Sequence, residues 1–290
     1  MQLQNNKPED RIDPQFKEYL ADKPRLTYVQ PKDSVLRKWL IRRLEKALGR
    51  KKLEKAYWRL KEGKFDVKTF FARAIKETGL KVNHRGLKPD QLNIEGPVIF
   101  LANHPFGIVD GMVLCDIAAK FRGDFRILIN SVLCQDADLV QNFLPVDFED
   151  TLHAKKTNIH SKKLALQALS KNIPLLVFPS GMVSTATKFG FGEVKDYPWT
   201  TFAAKLVKQS QATVIPIHFY GRNSRKFHVA SHIAEPLRMG LLMHEALNKF
   251  GNKIELTIGQ PIAWQELQHL HCRKELTQAL YDRVQGLNDQ

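Results

Sequence analysis

Residues 97–111 read Pro-Val-Ile-Phe-Leu-Ala-Asn-His-Pro-Phe-Gly-Ile-Val-Asp-Gly, an apolar run that ends in a loop carrying His104 and Asp110. A short apolar run bounded by turn residues reads as a buried strand. Similar runs recur at Phe125–Ile129, Ile173–Phe178, Thr213–Phe219 and Ile254–Ile258. Helical patterns separate them around Gly111–Phe121, Ser161–Lys171 and Thr201–Gln209, and a last helix is read over Arg273–Leu287. Strands alternating with helices predict an α/β domain, with a mixed, largely buried sheet flanked by helices, over residues 76–290.

Upstream the texture differs. Residues 1–33 are polar and punctuated by Pro8, Pro14, Pro24 and Pro31, which predicts an extended or weakly ordered lead-in. Residues 34–75 form a basic amphipathic helical segment, within which Ser34–Lys64 holds 12 Lys and Arg against three Glu. Leu36, Trp39, Leu40, Leu44 and Leu48 recur at helical spacing, so a helix is expected to break or bend near Gly49 and a second to carry Leu53, Tyr57, Trp58 and Leu60. Such a segment can lie in the headgroup layer of an anionic membrane or pack its apolar stripe on the domain, and both readings stay open.

Forty-five Lys and Arg against 30 Asp and Glu give a formal charge of +15, which favours an anionic partner. Nucleic acid, an anionic bilayer and an acidic carrier or cofactor all qualify. Cys115, Cys134 and Cys272 are too widely spaced for a disulfide framework, which fits a reducing compartment. The N-terminus lacks the pattern of a secretory signal, and no apolar window has the length of a membrane span. A cytoplasmic protein, peripheral on the inner face of the cytoplasmic membrane, is the expectation.

Catalytic groups of α/β sheets gather beyond the carboxyl ends of strands, where His104 lies. An imidazole whose other nitrogen is held by a carboxylate can take a proton from a hydroxyl or amine. Asp110 could be that carboxylate, with Gly107 letting the loop fold back. Equally, Asp110 could cap the following helix and His104 could be a polar strand end. Ser180, Gly181, Ser184 and Thr185 follow the strand at 173–178 in a loop able to cradle an oxyanion or phosphate, or to serve as an ordinary turn. Ser180 lacks the Gly-x-Ser-x-Gly elbow of a serine hydrolase. Arg222 follows the strand at 213–219 as a phosphate or carboxylate contact or a surface cation. His228 with His232, and His269 with His271 and Cys272, complete no metal site by spacing, and no cofactor is expected.

Asn103-His104-Pro105-Phe106-Gly107 through Asp110-Gly111, Phe178-Pro179-Ser180-Gly181 and Val214-Ile215-Pro216-Ile217, in that order, resemble the motifs of the glycerolipid acyltransferase superfamily. The form Asn-His-Pro-Phe-Gly-x-x-Asp-Gly resembles its hemolysin-like, or lyso-ornithine-lipid-type, branch. Gly259-Gln260-Pro261-Ile262 is similar as well, so the resemblance spans roughly residues 78–265. It implies acyl transfer from a thioester, on coenzyme A or acyl carrier protein, to a lyso-lipid, with His104 as general base and Asp110 orienting it. Asn103, Gly107, Asn130, Ser180, Gly181, Ser184 and Arg222 would then contact substrate.

Three departures are evident. Five residues, Pro105 to Val109, separate His104 from Asp110, one more than in the commonest form of the motif. Ser180 and Met182 stand where glutamates are expected, and Asn130 lies where a phosphate-binding arginine would. These disfavour a glycerol-phosphate acceptor. A non-catalytic nucleic-acid- or lipid-binding protein remains the alternative, although nucleic-acid binding leaves the His104 loop unexplained.

Overall fold

The computed structural model describes residues 13–289 except 23, 25, 26, 28, 30–32 and 64. Three helices lead: α1 (Val35–Ala47), α2 (Arg50–Lys61) and α3 (Val67–Thr78). Then come β1 (Lys81–Gly86), β2 (Val98–Ala102), α4 (Ile108–Arg122), β3 (Arg126–Asn130), β4 (Phe143–Val146), α5 (Leu152–Ser170) and β5 (Leu175–Val177). A two-stranded hairpin, β6 (Thr185–Ala186) and β7 (Val194–Lys195), precedes α6 (Phe202–Ser210) and β8 (Thr213–Tyr220). The chain closes with α7 (Arg225–Ile233), α8 (Glu235–Lys249), β9 (Lys253–Ile258), the short α9 (Trp264–Leu267) and α10 (Arg273–Gln285).

The sheet runs β1-β9-β8-β2-β5-β3-β4. Five central and far-edge strands are mutually parallel, and β9 turns against β8, so the sheet is mixed as expected. β2 lies in the middle, and its alternate side chains feed two cores. Val98, Phe100 and Ala102 meet α3 and α4, whereas Ile99 and Leu101 meet α5, α6 and α10. Burial on both faces explains why this strand reads as a continuous apolar run.

The basic segment does two things. Gly49 sits at φ 97° between α1 and α2, a conformation open to glycine, and a side chain there would collide with Leu247 of α8. Ile41 and Leu53 turn inward while Val35 and Leu36 are 86% and 73% exposed, and Trp39 and Leu40 are exposed too. Glu45, fully buried, accepts Arg50 Nη1 at 3.2 Å and Thr27 Oγ1 at 2.9 Å, locking the α1–α2 corner. α3 runs across residue 75 and packs on α4, so the helical segment merges into the α/β body. Of the lead-in, residues 1–12 lie outside the described residues. Pro14–Tyr19 is a 3₁₀ turn that buries Phe16.

Among the described residues, no helix is long and apolar enough to cross a membrane. Cys115 and Cys134 are buried and burial pushes both thiols up, whereas Cys272 is exposed. Because the thiolate is the reactive form, a neutral thiol reagent should titrate one cysteine in the native protein and three after denaturation. Mass spectrometry of the labelled peptides checks this, and rapid native labelling of Cys115 would contradict the packing.

Candidate active site

β2 delivers Asn103 and His104 to the carboxyl edge of the sheet. Asn103 is spent on architecture: its Nδ2 donates to Phe219 O at 2.9 Å and its Oδ1 accepts Phe219 N at 2.7 Å, tying the loop to β8. Gly107 then takes φ 85°, where an added Cβ would crowd Val183 and Leu242 at 3.1 and 3.2 Å. The sharp reversal lets Asp110, on the first turn of α4, reach back toward His104.

Asp110 is fully buried, and one oxygen, Oδ2, accepts the N–H of Phe106 at 2.8 Å and of Gly107 at 2.9 Å. The same oxygen lies 3.0 Å from His104 Nδ1. That approach is off the line of the ring N–H, so the pair is in close polar contact rather than joined by a straight hydrogen bond. Oδ1 has no hydrogen-bond partner among the described residues. Burial raises the Asp110 carboxyl above its ordinary value, opposed by His104 and the two backbone amides. The cap and the histidine contact are therefore one carboxylate serving both.

His104 is held from three sides. Its ring stacks on Phe178 at 3.9 Å with 23° between planes, its backbone N–H donates to Asp196 Oδ1 at 3.1 Å, and its carbonyl accepts Ser184 N at 2.8 Å. Asp196 also accepts Ser184 Oγ and, at 3.0 Å, Trp199 Nε1. Nothing in the sequence marked Asp196, because its role exists only where two distant loops meet. With Nδ1 turned to Asp110, Nε2 is the ring nitrogen left for a substrate.

The other expected residues fall in different places. Ser180 is buried and closes its own loop by donating to Met182 O at 2.8 Å. Gly181, at φ 66°, has its amide bonded to Phe178 O at 2.9 Å, and a Cβ there would strike the Phe148 ring at 2.9 Å. An oxyanion could use that amide only if the turn opened. Asn130 lies on the cavity wall, but its Oδ1 already accepts Val132 N at 3.1 Å. Arg222 is exposed and contributes its carbonyl to Lys249 Nζ at 3.0 Å. Its guanidinium is not among the groups lining the cavity.

That cavity, of about 1020 Å³, is lined by His104 and Gly107 and by residues of α2, α3, α4 and α8. Its walls are mainly apolar, with Tyr57, Phe71, Met112, Phe143 and Leu242 among them. The volume is ample for a long hydrocarbon chain. Among the described residues, one buried cation reaches the wall: Arg238 of α8, 4% exposed, donates to Val183 O at 2.8 Å and stacks over Tyr197 at 5.2 Å. Arg238 is not marked by the sequence motifs, which do not extend to α7 and α8. Its signal in the sequence is a cation inside the otherwise apolar stretch Pro236–Met243.

A family model described as Acyltransferase matches residues 20–286. The chain belongs to that family. As an acyltransferase of the glycerolipid superfamily, it is 30% identical over 240 residues to a lyso-glycine lipid O-acyltransferase of Phocaeicola vulgatus, covering 79% of this chain and 81% of the relative. A protein of the same description from Bacteroides thetaiotaomicron is 28% identical over 218 residues, covering 71% of this acyltransferase and 75% of that one. The crystal structure of the 1-acyl-sn-glycerophosphate acyltransferase PlsC from Thermotoga maritima shares the fold, with a TM-score of 0.51 at 15% identity over 87% of this chain and 86% of that one.

Proposed function

We propose that this acyltransferase moves a fatty acyl group from a thioester, on coenzyme A or acyl carrier protein, to the hydroxyl of a lyso-lipid of the glycine-lipid kind. The observation that carries the reading is the His104–Asp110 contact, with His104 lining a mainly apolar cavity of about 1020 Å³. His104 Nε2 takes the hydroxyl proton as the oxygen attacks the thioester carbonyl; the C–S bond breaks, the thiol leaves with a proton, and an ester remains. Asp110 keeps Nδ1 toward itself and offsets the positive charge that the ring gains. The names of the two relatives support the acceptor class.

An anionic headgroup entering the cavity would meet Arg238, a cation held by Val183 O and stacked on Tyr197. The apolar cavity would hold one chain while the positive charge of the molecule favours an anionic donor and surface. α1 supports a peripheral seat on an anionic membrane at the cytoplasmic side, since Val35, Leu36, Trp39 and Leu40 project outward beside Arg42 and Arg43.

The test is a competition. With one acyl thioester and equal concentrations of lyso-glycine lipid and glycerol 3-phosphate, the lyso-lipid should be acylated faster. Its own chain adds binding energy of about 0.8 kcal/mol per buried methylene, which a water-soluble acceptor lacks. Faster acylation of glycerol 3-phosphate would overturn the acceptor class.

A further inference from the structure

The tip of the β6–β7 hairpin reads Thr187-Lys188-Phe189-Gly190-Phe191-Gly192-Glu193, and Phe189 and Phe191 are 68% and 61% exposed. Two exposed aromatic rings at one tip are unusual for a surface that meets only water. The tip is nonetheless firmly built. Thr187 N donates to Glu193 O at 3.1 Å and Phe191 N to Lys188 O at 3.0 Å. Lys188 and Phe189 hold φ of 54° and 49°, a region that L residues other than glycine, asparagine and aspartate seldom occupy.

α7 fixes this shape. His228 Nδ1 accepts Ala186 N at 3.2 Å and His232 Nε2 donates to Ala186 O at 2.8 Å, so these two histidines staple the hairpin rather than bind a metal together. A Cβ at Gly190 would meet Val229 at 2.7 Å, which shows how closely the tip backbone lies on the helix. The Phe189 ring is 5.5 Å from the His232 ring, and the Arg225 guanidinium is 5.7 Å from Phe191. The tip backbone is thus held on α7 while both rings stay more than half exposed.

The same face continues to α1. Exposed Ile233 follows His232 at the end of α7, and Glu235 at the start of α8 pairs with Arg37 of α1 at 3.0 Å, next to exposed Leu36. Arg37 and Glu235 line the cavity, as do the exposed Met182 and Phe148. The solvent-facing part of the cavity lining therefore includes α1 and the start of α8, which follows directly on the helix that carries the hairpin. Lys188 and Lys195 of the hairpin and Arg225 and Lys226 of the first turn of α7 are exposed cations, and Glu193 of the hairpin is paired with Lys195 at 2.7 Å. Aromatic rings within a basic collar match the chemistry of an anionic lipid surface, with rings at the acyl boundary and cations at the phosphates.

We propose that the β6–β7 hairpin is a second membrane-inserting element, which with α1 seats the cavity mouth on an anionic bilayer. This rests on the lipid-acylating reading above. Two separated contacts fix the rotation of the molecule as well as its distance from the surface. A lyso-lipid could then enter without leaving the bilayer.

The experiment uses the full chain and vesicles of phosphatidylcholine with phosphatidylglycerol. Phe189→Ser with Phe191→Ser should weaken sedimentation with these vesicles by about tenfold or more, the scale set by partial burial of two aromatic side chains. It should slow acylation of vesicle-borne lyso-lipid and leave acylation of a short-chain lyso-lipid, monomeric in solution, unchanged. Vesicle binding equal to that of the wild type would overturn the inference while leaving the lipid-acylating reading standing. Loss of activity only with a carrier-protein thioester would also overturn it, in favour of a protein partner. Wild-type failure on monomeric lyso-lipid would instead count against the function itself. A second measurement does not depend on the double variant folding. Phe191→Cys in a Cys272→Ser background, labelled with an environment-sensitive dye, should shift its emission to the blue on adding anionic vesicles, because Cys115 and Cys134 are buried and stay unlabelled. An unshifted spectrum would overturn insertion.

Discussion

His104→Ala should lower turnover by about 10²- to 10⁴-fold with the fold retained, the range for loss of a positioned general base. Retention follows from how the loop is held. The backbone of residue 104, not its ring, bonds Asp196 and Ser184, and Asn103 ties the loop to Phe219. Alanine removes the ring stacked on Phe178 and its contact with Asp110, whose Oδ2 keeps the Phe106 and Gly107 amides. Steady-state kinetics paired with thermal melting checks this. A folded His104→Ala protein that keeps its turnover would remove His104 from the chemistry.

Asp110→Asn should cost a similar factor, about 10² to 10⁴ in kcat, with little loss of stability. The asparagine carbonyl can still accept from Phe106 and Gly107, so the turn survives. What goes is the charge that favours the protonated imidazole during proton transfer. Burial raises the carboxyl of Asp110 above its ordinary value, so its ionisation works against folding. Its contribution to stability is greatest below the unfolded value and declines as pH rises through the raised folded value. Where Asp110 is ionised, removing its charge relieves that cost, which offsets the burial of an amide N–H₂ near the place of the unpartnered Oδ1. A melting temperature that falls steeply together with kcat would make Asp110 a structural cap alone.

The pH profile adds a second check on the pair. As pH falls through the raised Asp110 value, the carboxylate is neutralised, its contact with Nδ1 weakens and turnover should decline. In Asp110→Asn this part of the acid limb should be missing. The wild-type limb belongs to the coupled pair and not to either residue.

The sequence by itself determined the central sheet and the reacting loop. Buried parallel strands must be apolar on both faces, which is why β2, β5 and β8 could be read directly, and Gly107 with Asp110 marked a reversal on purely local grounds. β1, with its polar sequence Lys-Val-Asn-His-Arg-Gly, and β4, four residues long with Pro145, carried no such signal. Both are edge strands, where one side need not be covered. The basic helices were legible as amphipathic, but whether their apolar stripe met the domain or water depended on partners. Tertiary structure divided it, turning Ile41 and Leu53 inward and leaving Val35, Leu36 and Trp39 outside. It alone brought Asp196, 92 residues on, to the backbone of His104, and Arg238 of α8 to the cavity wall. The physical reason is common to these cases: a polar side chain gains its role from what it meets across the fold, and no spacing along the chain encodes that meeting.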